Sequence, residues 1–202
     1  MKIDFEKVNF NKSGGLVPAI VQDADTLQVL MLGYMNADAF AKTQETGLVT
    51  FYSRSRKTLW TKGETSGNNL ALVDMMIDCD QDTVLVKARP VGPTCHTGTI
   101  SCFGEDGADG VGFLAYLETL IEGRKTADPE SSYTAQLLQG PLRRAAQKVG
   151  EEGVETALAA VAETDDKLVS EAADLFYHTL VLLAAKDVKL VAVIAELKGR
   201  HK

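Results

Sequence analysis

The chain changes its hydrophobic pattern about halfway along its length. Up to residue 103, short apolar runs rich in Val, Leu, Thr and aromatic residues alternate with Gly, Asn and Asp, a pattern typical of β-strands and turns. One helix is predicted among the strands at Ala37–Glu45, because Asn36 can cap its start and Gly47 can end it. This half is therefore expected to be mainly β with at least one helix, an α+β domain. The predicted strands are Leu16–Gln22, Thr26–Tyr34, Leu48–Ser53, Thr58–Lys62, Leu70–Ile77 and Thr83–Lys87.

After residue 112 the apolar positions recur with a helical period. The second half is therefore predicted to be an all-α helical bundle. The predicted helices are Phe113–Arg124; a short helix capped by Ser131 or Ser132; Leu142–Glu163, with Pro141 at the first helical position; Lys167–Ala185, capped by Thr164 or Asp165; and Asp187–Lys198.

The segment Gly104–Gly112 separates the two patterns. It holds four glycines and three acidic residues and offers few side chains for packing, so we interpret it as a linker. It also contains G-x-x-G-x-G, but no strand leads directly into a long helix there, which disfavours a dinucleotide-binding loop. Two domains are expected, at residues 1–108 and 109–202.

Composition and charge narrow the possible partners. The 202 residues carry a net charge of −7, which disfavours general binding to nucleic acid or to a membrane surface. The richest apolar stretch, Leu180–Ala195, is interrupted by charges and is too short to span a bilayer, and the first eleven residues do not resemble a secretory signal. We expect a cytoplasmic protein whose three cysteines stay reduced. These cysteines are therefore expected to be either buried or bound to metal.

Two groups of residues in the first half suggest metal binding. Asp78, Asp80 and Asp82 alternate, so an extended strand would place the three carboxylates on one face and Cys79 on the other. Carboxylates are hard ligands suited to Mg²⁺, although a solvated strand end or turn is the simpler alternative. Three soft thiolate ligands for Zn²⁺ are available from Cys79, Cys95 and Cys102, which leaves one coordination position open. Buried structural cysteines remain an alternative.

Two polar loops bracketed by glycine lie near these groups. They are Trp60–Gly67 and Gly92–Gly98, and the second contains His96, which can serve as a zinc ligand or a proton shuttle. Their amides and hydroxyls, with Lys62 and nearby arginines, can hold a phosphate, although two ordinary hairpin turns would have a similar composition.

From about Leu30 to Phe103 the chain resembles phosphoribosyl-AMP cyclohydrolase of histidine biosynthesis. Several specific motifs occur in the same order as in that family. They are Arg54-Ser-Arg56, Leu59–Asn68, Asp78–Asp82, Gly92–Gly98 and Ser101–Phe103.

The resemblance implies that zinc-activated water adds at C6 of the adenine ring of phosphoribosyl-AMP and that the N1–C6 bond opens. It also implies a homodimer with each zinc site shared between chains, and we assign His96 as the proton shuttle. The implied zinc ligands are Cys79, Cys95 and Cys102; the implied magnesium ligands are Asp78, Asp80 and Asp82; and the residues assigned to substrate binding are Arg54, Trp60, Lys62, Glu64 and Ser66.

Acidic residues recur at helical spacing in the second half. Glu151, Glu152 and Glu155 share one helix face, and Glu171 and Asp174 repeat the three-residue spacing on the next predicted helix. If the helices pack antiparallel, the carboxylates converge and repel one another unless cations such as Mg²⁺ bind between them. Solvated helix faces are the alternative. Against it, the acids border the predicted apolar stripe of Val149, Val154, Leu158 and Val161 instead of lying opposite to it.

The pattern E-E-x-x-E followed by E-x-x-D resembles the all-α nucleotide pyrophosphohydrolases. With Ser132-Tyr-Thr and Lys148–Glu152, the segment Phe113–Arg200 resembles phosphoribosyl-ATP pyrophosphohydrolase in particular. The resemblance implies hydrolysis between the α- and β-phosphates, with Lys148, and Arg143 or Arg144 beside it, countering the phosphate charge. The implied magnesium ligands or water activators are Glu151, Glu152, Glu155, Glu171 and Asp174.

The two resemblances support each other, because the product of the C-terminal reaction is the substrate of the N-terminal one. We therefore predict a bifunctional hydrolase of histidine biosynthesis that uses Zn²⁺ and Mg²⁺ and acts on small nucleotides. Two alternatives remain at this point. One is a nucleotide pyrophosphatase of the house-cleaning type joined to a structural zinc module, and the other is a non-enzymatic, zinc-dependent interaction module with a helical dimerisation domain.

Overall fold

The computed structural model describes residues 7–104 and 110–201, which divide into two compact units on either side of the Phe113–Leu114 bond. Each unit has its own hydrophobic core. The predicted strand-rich domain followed by an all-helical domain is confirmed. The predicted boundary after residue 108 falls on residues 105–109, outside the described residues.

The first unit is built on a four-stranded sheet with the order β2-β1-β6-β5 and a separate β3-β4 hairpin. β1 pairs antiparallel with β2 and parallel with β6, and β5 pairs antiparallel with β6. Along β1, buried residues alternate with partly exposed ones, as expected for a strand with one face in the core. The strands are β1 Val17–Asp23, β2 Val29–Met35, β3 Thr50–Ser53, β4 Thr58–Thr61, β5 Leu70–Ile77 and β6 Val84–Pro90.

The predicted helix of this unit forms as α1, Ala37–Thr46. The Asn36 side chain accepts the backbone N–H of Ala39 at 2.9 Å, and Gly47 ends the helix in the left-handed conformation with φ 70°. Phe40 of α1 is fully buried in the core. Both predicted capping residues are confirmed, and the helix extends one residue beyond the predicted end at Glu45.

The Asp78–Asp82 segment is not an extended strand, so the predicted alternation of faces is wrong. β5 ends at Ile77, and the chain turns toward β6. The carboxylate of Asp78 accepts the backbone N–H groups of Asp82 and Thr83, each at 3.0 Å, and Gln81 adopts a positive φ of 68°. Aspartate stabilises a turn in this way by bonding to its own backbone a few residues on. The turn, and not a strand face, brings the three carboxylates together.

The second unit is helical throughout its described secondary structure. Only Glu163 and Thr164 connect the two long helices α4 and α5, which therefore form an antiparallel hairpin. The side chains of Ser132 and Thr164 cap α3 and α5, as predicted. The helices are α2 Phe113–Gly123, α3 Tyr133–Gln139, α4 Leu142–Ala162, α5 Asp165–Ala185 and α6 Leu190–Arg200.

Three details of the helical unit differ from the prediction. Pro141 is the extended N-cap of α4 instead of its first helical residue, with ψ 128°. α6 begins at Leu190 instead of Asp187, because Asp187 has a positive φ of 55° that a helix does not accommodate. The predicted apolar stripe of α4 does not face the core: Val154 and Leu158 are exposed, and Val161 is 82% exposed.

The helix α5 is long and apolar enough to cross a membrane by length and composition alone. Its residues Leu180, Val181 and Ala184 are nevertheless buried in the core of the helical unit together with Ile121 and Leu137. A core helix satisfies the same two criteria, so this helix is weak evidence for a membrane span.

Candidate functional site

A cleft of about 370 Å³ opens in the first unit between the two polar loops identified from the sequence. One wall is the loop that follows β4, and the other is the loop that contains Cys95 and His96. Four of the five residues predicted to bind substrate lie here. The cleft is lined by Trp60, Lys62, Gly63, Glu64, Thr65, Ser66, Asn68, Pro93, Cys95, His96 and Gly98.

Local packing fixes the wall that follows β4. The Trp60 ring packs on the buried Phe51 ring with their centroids 5.6 Å apart, and Glu64 accepts the backbone N–H of Thr61. Gly63 has φ 82°, and a Cβ there would lie 2.4 Å from the Asn68 backbone, so only glycine allows this tight loop.

The remaining predicted substrate residue, Arg54, lies on the turn between β3 and β4 and is not among the residues that line the cleft. Its guanidinium stacks on the Tyr34 ring, 3.9 Å from the ring centroid.

Two of the three cysteines come together beside the cleft. The thiols of Cys95 and Cys102 interact directly, and the Thr97 hydroxyl donates to Cys95 Sγ at 3.1 Å. This hydrogen bond is the main cause that lowers the pKa of Cys95 to about 6, whereas desolvation and the Cys95 thiolate raise the pKa of Cys102. A thiolate at neutral pH is the form that binds metal, so the pair fits one side of a tetrahedral zinc site.

Cys79 lies apart from this pair, exposed on the turn between β5 and β6. Among residues 7–104 and 110–201, no Cys, His, Asp or Glu completes a three-ligand group with Cys95 and Cys102. His96 is adjacent, with Nδ1 3.8 Å from Cys95 Sγ and its ring exposed at the cleft. A single chain therefore assembles only part of the predicted zinc site.

The three aspartates of the β5–β6 turn bring carboxylate oxygens within 4.8 Å of one another. Lys12 lies beside them, with Nζ 2.5 Å from Asp80 and 2.7 Å from Asp82. Desolvation is the largest single effect on the Asp78 carboxyl and raises its pKa, but the hydrogen bonds from Thr83 and Asp82 together outweigh it and hold the pKa below its usual range. The donor set suits Mg²⁺, and Lys12 already supplies one positive charge to it.

The helical unit contains a second group of three carboxylates, from α4 and α5. Oxygens of Glu152, Glu155 and Glu171 lie within 4.8 Å of one another, and Glu152 and Glu171 are only 5% and 7% exposed. Desolvation and the two neighbouring carboxylates raise the pKa of Glu155. Carboxylates held this close favour a bound cation, and oxygen ligands suit Mg²⁺. Lys167 pairs with Glu171 at the edge of the group.

The other predicted residues of this site surround the three carboxylates. Lys148 Nζ lies 2.9 Å from Glu151 and 3.1 Å from Glu152, so one cation bridges two acids of α4. The Glu151 carboxylate also accepts the Gln147 amide at 2.6 Å. Asp174 is exposed, one helical turn after Glu171, and is not part of the three-carboxylate group.

One residue at this site, His178, was not predicted from the sequence. It is 6% exposed, and its Nδ1 lies 3.6 Å from Glu152 Oε1. Its position was available as a signal, because His178 follows Asp174 by four residues and therefore shares the helix face of Asp174 and Glu171.

Comparison with known proteins identifies both halves of the chain. Residues 31–104 match the family model of phosphoribosyl-AMP cyclohydrolase, and residues 114–201 match that of phosphoribosyl-ATP pyrophosphohydrolase. The histidine biosynthesis bifunctional protein HisIE of Vibrio vulnificus strain YJ016 is 57% identical over 199 residues, which cover 98% of this chain and 94% of the relative. The proteins of the same name from Campylobacter jejuni and Escherichia coli O157:H7 are each 55% identical, and the alignments cover 98% and 97% of this chain and 96% of each relative.

The order of the two matches is the order of the two folded units, and the relatives align over nearly their whole length. These comparisons favour the bifunctional enzyme over both alternatives considered from the sequence. The chain belongs to the family of bifunctional histidine-biosynthesis enzymes, in which a phosphoribosyl-AMP cyclohydrolase domain precedes a phosphoribosyl-ATP pyrophosphohydrolase domain.

Proposed function

We propose that Glu152, Glu155 and Glu171 hold Mg²⁺ and form the centre at which the helical domain hydrolyses phosphoribosyl-ATP to phosphoribosyl-AMP and pyrophosphate. The convergence of three carboxylates from α4 and α5, two of them buried, is the observation that carries this proposal. Without a cation these charges repel one another in a partly dehydrated site, which the raised pKa of Glu155 reflects.

The surrounding residues take complementary roles. A Mg²⁺ ion held by the three carboxylates would supply positive charge that offsets the charge of the phosphates. Lys148 neutralises Glu151 and Glu152 and presents its ammonium to the phosphates, while Glu151 orients the attacking water. We assign Asp174 as an outer ligand, because it lies on the helix face of Glu171 one turn further along α5.

We propose that the cleft of the first domain binds phosphoribosyl-AMP. The buried ammonium of Lys62 and the hydroxyl of Ser66 face its phosphate, Trp60 packs against the base, and Glu64 bonds to a hydroxyl. Arg54, on the turn between β3 and β4, contributes a positive charge to substrate binding. Cys95 and Cys102 would contribute thiolates to a zinc site, zinc would supply an activated water for opening the N1–C6 bond, and His96, beside Cys95, would move the proton.

We further propose a homodimer in which Cys79 of one chain completes the zinc site formed by Cys95 and Cys102 of the other. Two observations support this arrangement. Cys79 is exposed and separate from the pair within one chain. The helical domain presents the exposed apolar residues Val154, Leu158 and Val161 on one helix, a surface that a second subunit can cover.

The shared site predicts complementation between two inactive variants. Cys79→Ser and Cys102→Ser homodimers are each expected to lack cyclohydrolase activity. Co-expressed chains form mixed dimers with one intact site of two, so a random mixture should regain about a quarter of the wild-type activity. Ring opening is measured on the mixture against each homodimer, and no recovery in mixed dimers that are shown to form would contradict the shared site.

We propose that Asp78, Asp80 and Asp82 bind a second Mg²⁺ ion, which positions the water or the substrate for the cyclohydrolase. Lys12 limits the affinity of this group for Mg²⁺ because its ammonium forms ion pairs with Asp80 and Asp82.

Lys12→Met is expected to tighten Mg²⁺ binding at the turn severalfold, since one positive charge is removed from beside the ion. Calorimetric titration of the full chain checks this, with Lys57→Met, which lies on an exposed turn, as the matched control. An unchanged or weaker affinity would contradict the competition.

Metal dependence of the two steps tests the whole assignment. The full chain is stripped of metal and supplied with phosphoribosyl-ATP. Mg²⁺ alone should restore pyrophosphate release. Adding Zn²⁺ should then allow ring opening, which is measured by its absorbance change. Turnover of both steps in fully metal-free protein would refute the proposal.

We propose that the protein is located in the cytoplasm, because free thiolate ligands need a reducing compartment.

A further inference from the structure

His178 is a buried histidine for which the two activities suggest no role. Its Nδ1 lies 2.9 Å from the backbone carbonyl oxygen of Asp174, which can only accept a hydrogen bond. Nδ1 therefore carries the hydrogen. Nε2 of the neutral ring is then an acceptor, and the Tyr133 hydroxyl lies 3.3 Å from it. Tyr133 thus donates to Nε2 and fixes the tautomer in which the N–H is on Nδ1.

The same Nδ1–H faces the carboxylate of Glu152. Oε1 of Glu152 lies 3.6 Å from His178 Nδ1 on one side and 3.1 Å from Lys148 Nζ on the other. The distance of 3.6 Å exceeds that of a direct hydrogen bond, so the contact between Glu152 and His178 is electrostatic. The hydrogen on Nδ1 is itself bonded to the carbonyl oxygen of Asp174. The Lys148 ammonium and the Nδ1–H of His178 therefore approach the same oxygen of Glu152, and neither contact involves its other oxygen.

The ring is fixed by its neighbours on α3 and α5. Tyr133 and Tyr177 contact it edge-on, with centroids 6.2 Å and 5.0 Å from the imidazole. Thr134 and Tyr177 share a hydrogen bond of 2.6 Å beside it. A buried polar ring next to a buried carboxylate is costly unless the two are paired, so an aliphatic residue would fill this space at lower cost if packing were its only role.

We propose that His178 is a positioning residue of the pyrophosphohydrolase: its Nδ1–H orients Glu152 for Mg²⁺, and Tyr133 holds the ring in the tautomer that this requires. The inference rests on the proposed Mg²⁺ site at Glu152, Glu155 and Glu171. His178 acts through Glu152. Residues that contact metal ligands commonly set the orientation of those ligands and the affinity for the metal in this way.

Two substitutions separate the nitrogens of the ring. Asparagine places an N–H close to the position of Nδ1, and glutamine places its amide close to Nε2. His178→Gln is expected to weaken Mn²⁺ binding, measured by electron paramagnetic resonance on the full chain, by roughly 10- to 100-fold and to lower kcat for pyrophosphate release similarly. His178→Asn should recover most of both losses. Only the Mn²⁺ sites that Glu152→Gln removes are counted.

Controls distinguish positioning from stability and from failure of the metal site. Ring opening by the first domain should be unchanged in both variants, and their thermal unfolding should be similar to each other. Tyr133→Phe should give a smaller loss than His178→Gln, because it removes only the group that fixes the tautomer. Wild-type affinity in His178→Gln, or equal defects in the Asn and Gln variants, would overturn the inference. Absence of any Glu152-dependent Mn²⁺ site in the wild type would overturn the proposed metal site itself, and this inference with it.

Discussion

Glu152→Gln is expected to abolish pyrophosphate release while the cyclohydrolase remains fully active. Glu152 is one of two buried members of the carboxylate group, and it also contacts Lys148 and His178, so its charge is central to the site. The substitution keeps the shape of the side chain and removes a ligand charge. We expect a loss of kcat on the order of a thousandfold, comparable to losing a main electrostatic contact in a catalytic centre. Pyrophosphate release from phosphoribosyl-ATP is the measurement.

Protein stability provides the check on this variant. Removing one of three mutually repelling carboxylates should leave the melting temperature of the metal-free protein unchanged or raise it, because the repulsion falls. Added Mg²⁺ should then stabilise the helical domain of the wild type but not the helical domain of the variant, since only a competent site in that domain binds the ion in the folded state. Glu196→Gln, which changes an exposed carboxylate on α6 that pairs with Arg200, is the matched control. Normal pyrophosphate release by Glu152→Gln would disprove the assigned metal site.

Cys102→Ser is expected to remove zinc and to stop ring opening, with pyrophosphate release unaffected. The Cys95–Cys102 pair is the part of the proposed zinc site that one chain assembles, and a serine hydroxyl is a far poorer zinc ligand than a thiolate. We expect zinc affinity to fall by at least about a hundredfold. Mutation of residues that only hydrogen-bond to metal ligands already lowers metal affinity by amounts that approach this size. Elemental analysis of the purified protein and the ring-opening assay measure the two losses.

The second domain serves as the internal control for this variant. Phosphoribosyl-ATP should be converted to phosphoribosyl-AMP at the wild-type rate, and the intermediate should then accumulate. If Cys102→Ser retains one zinc per chain and opens the ring normally, the cysteine assignment is wrong. Loss of both activities together would instead indicate a folding defect.

Local signals predicted the features of the fold that depend on neighbouring residues. Asn36, Ser132 and Thr164 each cap a helix whose start could be recognised from a polar residue before an apolar period. Glu152 and Glu155 could be grouped in the same way, because helical spacing alone places them on one face.

Contacts between distant parts of the chain were not predictable. Lys12 bonds to an aspartate 68 residues away, and Tyr133 bonds to a histidine 45 residues away. The sequence contains no periodicity that would link either pair. The apolar stripe of α4 was misassigned for a related reason: periodicity shows that a face is apolar but does not show whether the same chain covers it.

The short connection between α4 and α5 affects the order in which the two proposed active centres form. Glu152, Glu155 and Glu171 all belong to one helical hairpin, so contacts close in the chain assemble them, and such contacts form quickly during folding. If the zinc centre needs two subunits, its completion depends on encounter between chains and slows as the protein is diluted. The domain synthesised last would then be the first to become competent, and newly made protein would pass through a period in which it produces phosphoribosyl-AMP without consuming it.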